Sequence, residues 1–390
     1  MPATPAPAPP TPQRILVRGV NWLGDAVMTT PALLRLRECF PAARITLLTP
    51  AKLAALWPHH PAVDQVLTFT PGEAPWSVGR RLRAHGFDLG ILFPASPRSA
   101  WELWWARVPR RVGYAGRWRR WWLSEVVPCP TGYMPMRKRT VREIRRLRRA
   151  AAAGRSEAGT SSAPGAGAHH LFHYLHLVGY LGASTAPLAP RLELSAAERA
   201  GAAARVRALA GTRPLPAERP WLGLNAGAEY GPAKRWPAAN FVAVAREVGR
   251  RTGAVGLILG GPGDRDLAGE MARQLPDAVN LAGRTGLRDL MQVLAACDLV
   301  LTNDTGPMHL AAALGTPVVA LFGSTAPELT GPGLPGDPRH GVLRGPAPCA
   351  PCFLRVCPVD SRCLHALTVE QVTAAVCQRL AAGRADRPAR

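Results

Sequence analysis

The sequence predicts an α/β protein of two Rossmann-like βαβ domains facing a cleft, and three observations lead there. Short apolar runs alternate with helical stretches in two separate parts of the chain, residues 14–181 and 221–322. Between them, residues 182–191 (GASTAPLAPR) read as a linker. The length of 390 residues fits two domains rather than one. The expected division is a Pro/Ala-rich disordered tail over 1–13, an N-terminal domain over 14–185, a C-terminal domain over 186–376 and a second tail over 377–390. Clefts between domains are where ligands bind.

Residues 14–19 (RILVRG) read as a first buried strand, followed by the loop VNWLGD and a helix over 26–37. Residues 44–49 form the next strand, stopped by Pro50, and 65–69, 89–93 and 111–113 are further strands. A basic helix over 137–149 precedes a low-complexity loop, 150–168, and 169–181 reads as helix. In the second half, 221–225 and 254–260 are strands, and 238–252, 264–275 and 287–296 are helices. Residues 299–322 (LVLTNDTGPMHLAAALGTPVVALF) compress a strand, a polar turn, a small-residue helix and another strand into one βαβ unit.

The composition is strongly basic: 48 Lys and Arg against 26 Asp and Glu give +22. That charge fits an anionic partner, whether nucleic acid, anionic lipid or phosphorylated substrate. Biased base composition accounts for it equally well, since Lys52, Lys138 and Lys234 are the sole lysines among abundant Arg, Ala, Pro and Gly. Residues 101–122 hold Trp101, Trp104, Trp105, Trp118, Trp121 and Trp122 beside Arg107, Arg110, Arg111, Arg117, Arg119 and Arg120. Such interleaving suits a lipid headgroup interface or stacked bases, and equally suits packing with a solvated basic face. The first 12 residues lack the apolar core of a secretory signal, and no run approaches the roughly 20 apolar residues of a span. With eight cysteines, these features point to a reducing, cytoplasmic setting.

Chemistry gathers at a few places. Asp304 and Thr305 can cap the helix that follows them, and Gly306 lets a ligand approach the backbone. The free N–H groups and dipole of that helix start favour a phosphate. His309, one turn in, is either a packed residue or a donor to pyrophosphate. The loop 227–237 (GAEYGPAKRWP) offers Lys234 as a compact charge for a phosphate oxygen. Asp25 stands before a helix, so chemistry alone favours an N-cap, with a general base as the sharper reading. Cys349, Cys352, Cys357 and Cys363 run C-x2-C-x4-C-x5-C, which resembles a structural zinc site or is a tight cluster of reduced thiols.

With these residues laid out, the chain resembles the ADP-heptose:lipopolysaccharide heptosyltransferases, glycosyltransferase family 9. The resemblance rests on RILVRGVNWLGDAVMTTPAL, SPRSAW with RRVGY, GAEYGPAKRWP, NDTGPMHLAAALGTPVVALFGSTAPELTGP and CAPCFLRVCP. The donor loop and cysteine cluster point to the type II branch. It implies a glycosyltransferase-B fold whose N-terminal domain takes a lipid-linked acceptor and whose C-terminal domain takes ADP-heptose. It implies inverting transfer onto the heptosyl-Kdo-lipid A core, with Asp25 as catalytic base and Lys234, Asp304, Thr305, Gly306 and His309 at the donor. Asp264 falls at an acidic ribose contact, and Arg98 and Arg111 face the acidic acceptor. Pro307 departs from the usual residue but suits a first helical turn. No cofactor is required on this reading, with zinc or another divalent metal an option for the cysteines. The partners are ADP-heptose, the acceptor and the inner leaflet, where the enzyme sits peripherally on the cytoplasmic side, and not nucleic acid. The alternatives are a type I or III enzyme, another nucleotide-sugar transferase of this fold or, remotely, a non-enzymatic nucleic-acid binder.

Overall fold

A computed structural model describes residues 11–116, 118–155, 167–213 and 215–384. The chain divides into two compact units. The first holds residues up to Asn21, Thr29–Thr131 and His173–Ala186, and the second holds Trp22–Met28, Gly132–Phe172 and everything from Pro187. Six parallel strands form the sheet of the first unit: β1 (Arg14–Arg18), β2 (Arg44–Pro50), β3 (Gln65–Phe69), β4 (Leu89–Leu92), β5 (Arg110–Tyr114) and β6 (Glu125–Val127). Their spatial order is β3-β2-β1-β4-β5-β6. The second unit carries β7 (Trp221–Asn225), β8 (Val255–Ile258), β9 (Val279–Asn280), β10 (Leu299–Asn303), β11 (Val318–Phe322) and β12 (Gly341–Arg344). Their order, β12-β11-β10-β7-β8-β9, is the same winding pattern, and all pairings are parallel.

The central strands are apolar throughout because helices cover both faces of a parallel sheet. Ile15, Leu16 and Val17 of β1 are fully buried, as are Leu299, Val300 and Leu301 of β10. In register, Ile15 lies opposite Ile45 and Leu89, and Leu301 opposite Leu224 and Val319. Each sheet reverses its winding beside its first strand, between β1 and β4 and between β7 and β10. Such a reversal leaves a crevice at the carboxyl ends of the strands, where doubly wound folds take ligands.

Several local expectations change. The helix over 26–37 is two helices, Leu23–Met28 and Thr30–Cys39, because Pro31 has no N–H to continue the first. The basic helix begins at Val141, where Thr140 and Glu143 form a reciprocal capping box, and runs to Ala152. It thus takes in the start of the expected 150–168 loop, of which 156–166 lie outside the described residues. Residues 1–10 of the N-terminal tail also lie outside them, whereas Gln13 donates its backbone N–H to Asp88. In place of a tail from 377, the helix Val369–Arg384 continues, with Val372, Val376 and Leu380 packed on the second core at four-residue spacing. Residues 385–390 are outside the description. No helix among the described residues is long and apolar enough to cross a membrane.

A buried ion cluster braces the first unit. Glu102 is fully buried on the helix Pro97–Trp105 and accepts from Arg18 Nε at 2.7 Å and from Arg98 Nε at 2.8 Å. The Arg18 guanidinium also lies 4.2 Å from the centre of the Phe69 ring. Replacing Glu102 by Ala leaves the Arg18 charge buried without its partner, a loss of about 3–5 kcal/mol. A fall in the urea midpoint followed by circular dichroism tests this. An unchanged midpoint would show that the cluster carries little stability.

Candidate active site

Two polar residues, each ending an otherwise apolar strand, shape the crevice of the second unit. Asn225 closes β7, and its Nδ2 donates to Thr302 Oγ1 at 2.9 Å and to Thr305 Oγ1 at 3.0 Å. Asn303 closes β10, donates to the Ala226 carbonyl at 2.8 Å and accepts from Trp236 N–H at 3.1 Å. The loops after the two strands are therefore bound to each other. Sequence reasoning passed over both residues, although an asparagine at the last position of a buried strand was the available signal.

The helix Gly306–Ala313 starts from this platform, with Thr305 in the capping position and Pro307 in the first turn, where its missing N–H costs nothing. The Thr305 side chain makes no capping bond, so the expected cap is absent. Asp304 does not cap either. Its carboxylate, 3% exposed, accepts from Lys234 Nζ at 2.6 Å and from Thr325 Oγ1 at 2.6 Å. A carboxylate paired with an ammonium has a charge on both partners, whereas a cap to a backbone N–H has one. The Lys234 ammonium also lies 4.9 Å from the centre of the Tyr230 ring, on the loop between β7 and the helix Ala238–Thr252.

Asp25 reaches this site on the six-residue helix Leu23–Met28, where it is third in the helix and not its N-cap. Two glycines allow the approach. A Cβ on Gly24 would stand 2.6 Å from His309 Cδ2, and one on Gly306 would stand 2.6 Å from Leu23 Cδ2. The two short helices thus touch backbone to side chain in both directions. Burial raises the Asp25 carboxyl to about 6, with Lys234 pulling it down and Asp304 pushing it up. That value keeps it ionised near neutral pH yet basic enough to accept a proton. Burial also lowers His309 to about 4, against the pull of Asp304, so its ring is neutral and packs on Gly24. His169 is lowered to about 3 by burial and contacts the Gly331 carbonyl at 3.1 Å through Nε2.

The structure thus gathers Asp25, Lys234, Asp304, Thr305, Gly306 and His309 in one unit. Asp264 lies at the neighbouring strand ends, where its carboxylate fills the space a Gly227 side chain would take, accepts from Gly261 N–H at 3.0 Å and stands 3.7 Å from Arg235. Arg98 belongs to the first unit, with its guanidinium on Glu102 and the Glu73 carbonyl. Arg111 is half-buried and donates to the backbone carbonyls of Trp122 and Val108.

Cys349, Cys352, Cys357 and Cys363 line a cavity of about 20 Å³ and form no disulfide. Burial, reinforced by Cys352 and Cys349, pushes the Cys363 thiol up to about 11. Among the described residues, no group of three or more His, Cys, Asp or Glu side chains is arranged to hold a metal ion. Hydrogen bonds tie the loop: Cys352 and Phe353 N–H donate to the Ser324 carbonyl, and Tyr230 Oη donates to the Phe353 carbonyl at 2.7 Å.

Two parallel α/β units with the same strand order form the glycosyltransferase-B fold, which matches the solved ADP-heptose lipopolysaccharide heptosyltransferase II of Escherichia coli. That match has a TM-score of 0.73 and 26% identity, and covers 95% of this chain and 100% of the other. A family 9 glycosyltransferase structure from Veillonella parvula aligns with a TM-score of 0.76 over 95% and 98% of the two chains, at 23% identity. Among curated relatives, lipooligosaccharide heptosyltransferase 2 of Haemophilus influenzae is 29% identical over 328 residues, 82% of this chain and 85% of its own. The model of "Glycosyltransferase family 9 (heptosyltransferase)" matches residues 160–362, and the chain belongs to this family.

The glycine contact can be tested directly. Gly24→Ala places a methyl group against the buried His309 ring and pushes the helix bearing Asp25 aside. The expected outcome is about 1–3 kcal/mol of destabilisation and up to about a 100-fold loss of turnover. Wild-type turnover in this variant would mean the close approach does not position the carboxylate.

Proposed function

We propose that the protein transfers heptose from ADP-L-glycero-D-manno-heptose to the heptosyl-Kdo-lipid A inner core of lipopolysaccharide, with inversion, as a type II heptosyltransferase. One observation carries the chemistry: a carboxylate with its pKa raised to about 6 stands beside a buried Lys–Asp pair and the start of a helix at the switch point of a doubly wound sheet. The type II reading rests on the length of the likeness. Heptosyltransferase 2 relatives align over about four-fifths of the chain, whereas heptosyltransferase 1 of Pseudomonas aeruginosa aligns over 125 residues. The protein works at the cytoplasmic face of the inner membrane, where it meets its lipid-linked acceptor.

Asp25 takes the proton from an acceptor hydroxyl, whose oxygen attacks the anomeric carbon. The bond from that carbon to the β-phosphate oxygen breaks on the opposite face, which inverts the configuration and releases ADP. Charge builds on the leaving β-phosphate, and Lys234 with the N–H groups at Thr305 and Gly306 stabilises it. Asp304 does not touch the phosphate, since like charges repel. It holds the Lys234 ammonium in place from behind, and Thr325 fixes the carboxylate in turn. The His309 ring, neutral and packed on Gly24, forms part of the wall.

The pH dependence follows from the raised carboxyl. kcat/KM should rise with pH, half-maximal near 6 and flat above. Lys234→Met should move that midpoint upward, because Lys234 lowers the Asp25 pKa. Asp25→Asn should cost about 10²–10⁴ in turnover while ADP still binds. Folding favours the protonated carboxyl, so its stabilising contribution is complete below about pH 4 and fades as pH rises through 6. Asp25→Asn should therefore stabilise the fold at pH 8 by at most about 3 kcal/mol, seen as a raised melting temperature, and leave it unchanged at pH 4. Normal turnover in Asp25→Asn would remove the base assignment. Comparing Kdo-lipid A with its heptosylated form, and ADP-heptose with other nucleotide-sugars, tests the substrate reading.

A further inference from the structure

Tryptophan is the costliest residue to leave in water, yet five of the 11 in this chain are exposed on one part of the first unit: Trp76, Trp104, Trp105, Trp118 and Trp121. Three packed elements carry them, the helices Pro75–Arg83 and Pro97–Trp105 and the short turn of helix Arg119–Trp122. The first two pack closely because Gly79 has no side chain, and a Cβ there would stand 2.3 Å from that of Trp105. Trp101, Trp104 and Trp105 share one helical face by their spacing. Aromatic contacts link the elements: Trp76 lies edge-on to Trp101 at 6.3 Å, Trp101 lies 6.2 Å from Trp122, and Trp104 meets Trp105 at 5.7 Å. Trp118 adopts a left-handed backbone (φ 62°), which bulky residues seldom do, and its ring is 64% exposed.

The charge around these rings is predominantly positive. Residues 73–125 contain ten arginines against four acids, and two of those acids are spent on ion pairs, Glu73 with Arg81 and Glu125 with Arg110. The other two do not offset the surface: Glu102 is buried between Arg18 and Arg98, and Asp88 accepts from the backbone N–H groups of Gln13 and Arg14. Arg80, Arg83, Arg107 and Arg120 are exposed among the tryptophans. Indole rings settle at the headgroup level of a bilayer, and guanidinium groups there meet lipid phosphates.

We propose that this patch docks the protein onto an anionic bilayer surface, with the indoles inserted among the headgroups and the arginines on phosphates. The inference rests on the membrane-facing reading above and names the surface that makes the contact. The test uses the full-length protein and extruded vesicles of phosphatidylcholine, with and without phosphatidylglycerol. Wild type should sediment with the anionic vesicles and shift its tryptophan emission to the blue. Trp104→Ser with Trp105→Ser and Trp121→Ser should reduce partitioning at least tenfold while ADP affinity and melting temperature hold. Trp121→Ser alone, at a ring 77% exposed, gives a measurable loss that no folding defect can explain. Arg80→Ser, Arg83→Ser and Arg107→Ser should each weaken binding about fivefold at low salt.

Failure of wild type to bind anionic vesicles overturns the proposal, as does equal binding by the tryptophan variants. Tighter binding to single-stranded RNA than to vesicles, abolished by the same substitutions, overturns it in favour of nucleic acid. Transfer to detergent-dispersed acceptor is measured separately. Its absence would sink the catalytic reading and leave the docking result standing.

Discussion

The second unit's chemistry depends on how closely two short helices approach. Leu23–Met28 can lie against Gly306–Ala313 only because each presents a glycine to the other's side chain. A larger residue at either position would push a carboxylate away from an ammonium and a helix start. Glycine in a helix weakens it by about 1 kcal/mol relative to alanine. Both helices are short and accept that weakness in exchange for proximity.

The charges then settle into an order that proximity makes possible. Lys234 is held by Asp304, whose carboxylate Thr325 fixes in turn, and by the Tyr230 ring on another side. Its field reaches Asp25 and opposes the desolvation that raises the carboxyl. A site poorer in water makes each of these interactions stronger, and a missing partner correspondingly more damaging. The Asn225 and Asn303 amides hold the two loops at fixed spacing, so the charges do not have to find each other afresh on each turnover.

Much of the fold was legible because parallel sheets write themselves as uninterrupted apolar runs. β3, β7 and β11 and the helices Ala238–Thr252 and Leu287–Ala296 lie at the positions that the pattern marks. β6 and β9, of three and two residues, leave too little periodicity to detect, and β12 is an edge strand without a continuous buried run. The final helix was hidden by its Ala-rich, weakly patterned sequence, and its role became plain only through Val372, Val376 and Leu380 on a distant core. Lys234 stood out as a lysine in an arginine-rich chain. Local chemistry alone favours a cap at Asp25, because nothing nearby reveals that the helix starts two residues before it, and only the family resemblance marks it as a base. The purpose of Gly24 was not legible at all, since it is set by a histidine far along the chain.

The residues on either side of the helix Leu23–Met28 are assigned to one unit, and the helix itself to the other. The division of labour therefore does not follow the order of the polypeptide. A fragment beginning at Pro187 would retain the lysine, the aspartate partner and the helix start, yet lack the Asp25 carboxylate. Chimeras that exchange halves between relatives at the linker would unite one parent's Asp25 helix with the other parent's Lys234 and Gly306 helix start. In such hybrids Gly24 and Gly306 would have to come from compatible parents, which makes that pair the natural unit of exchange.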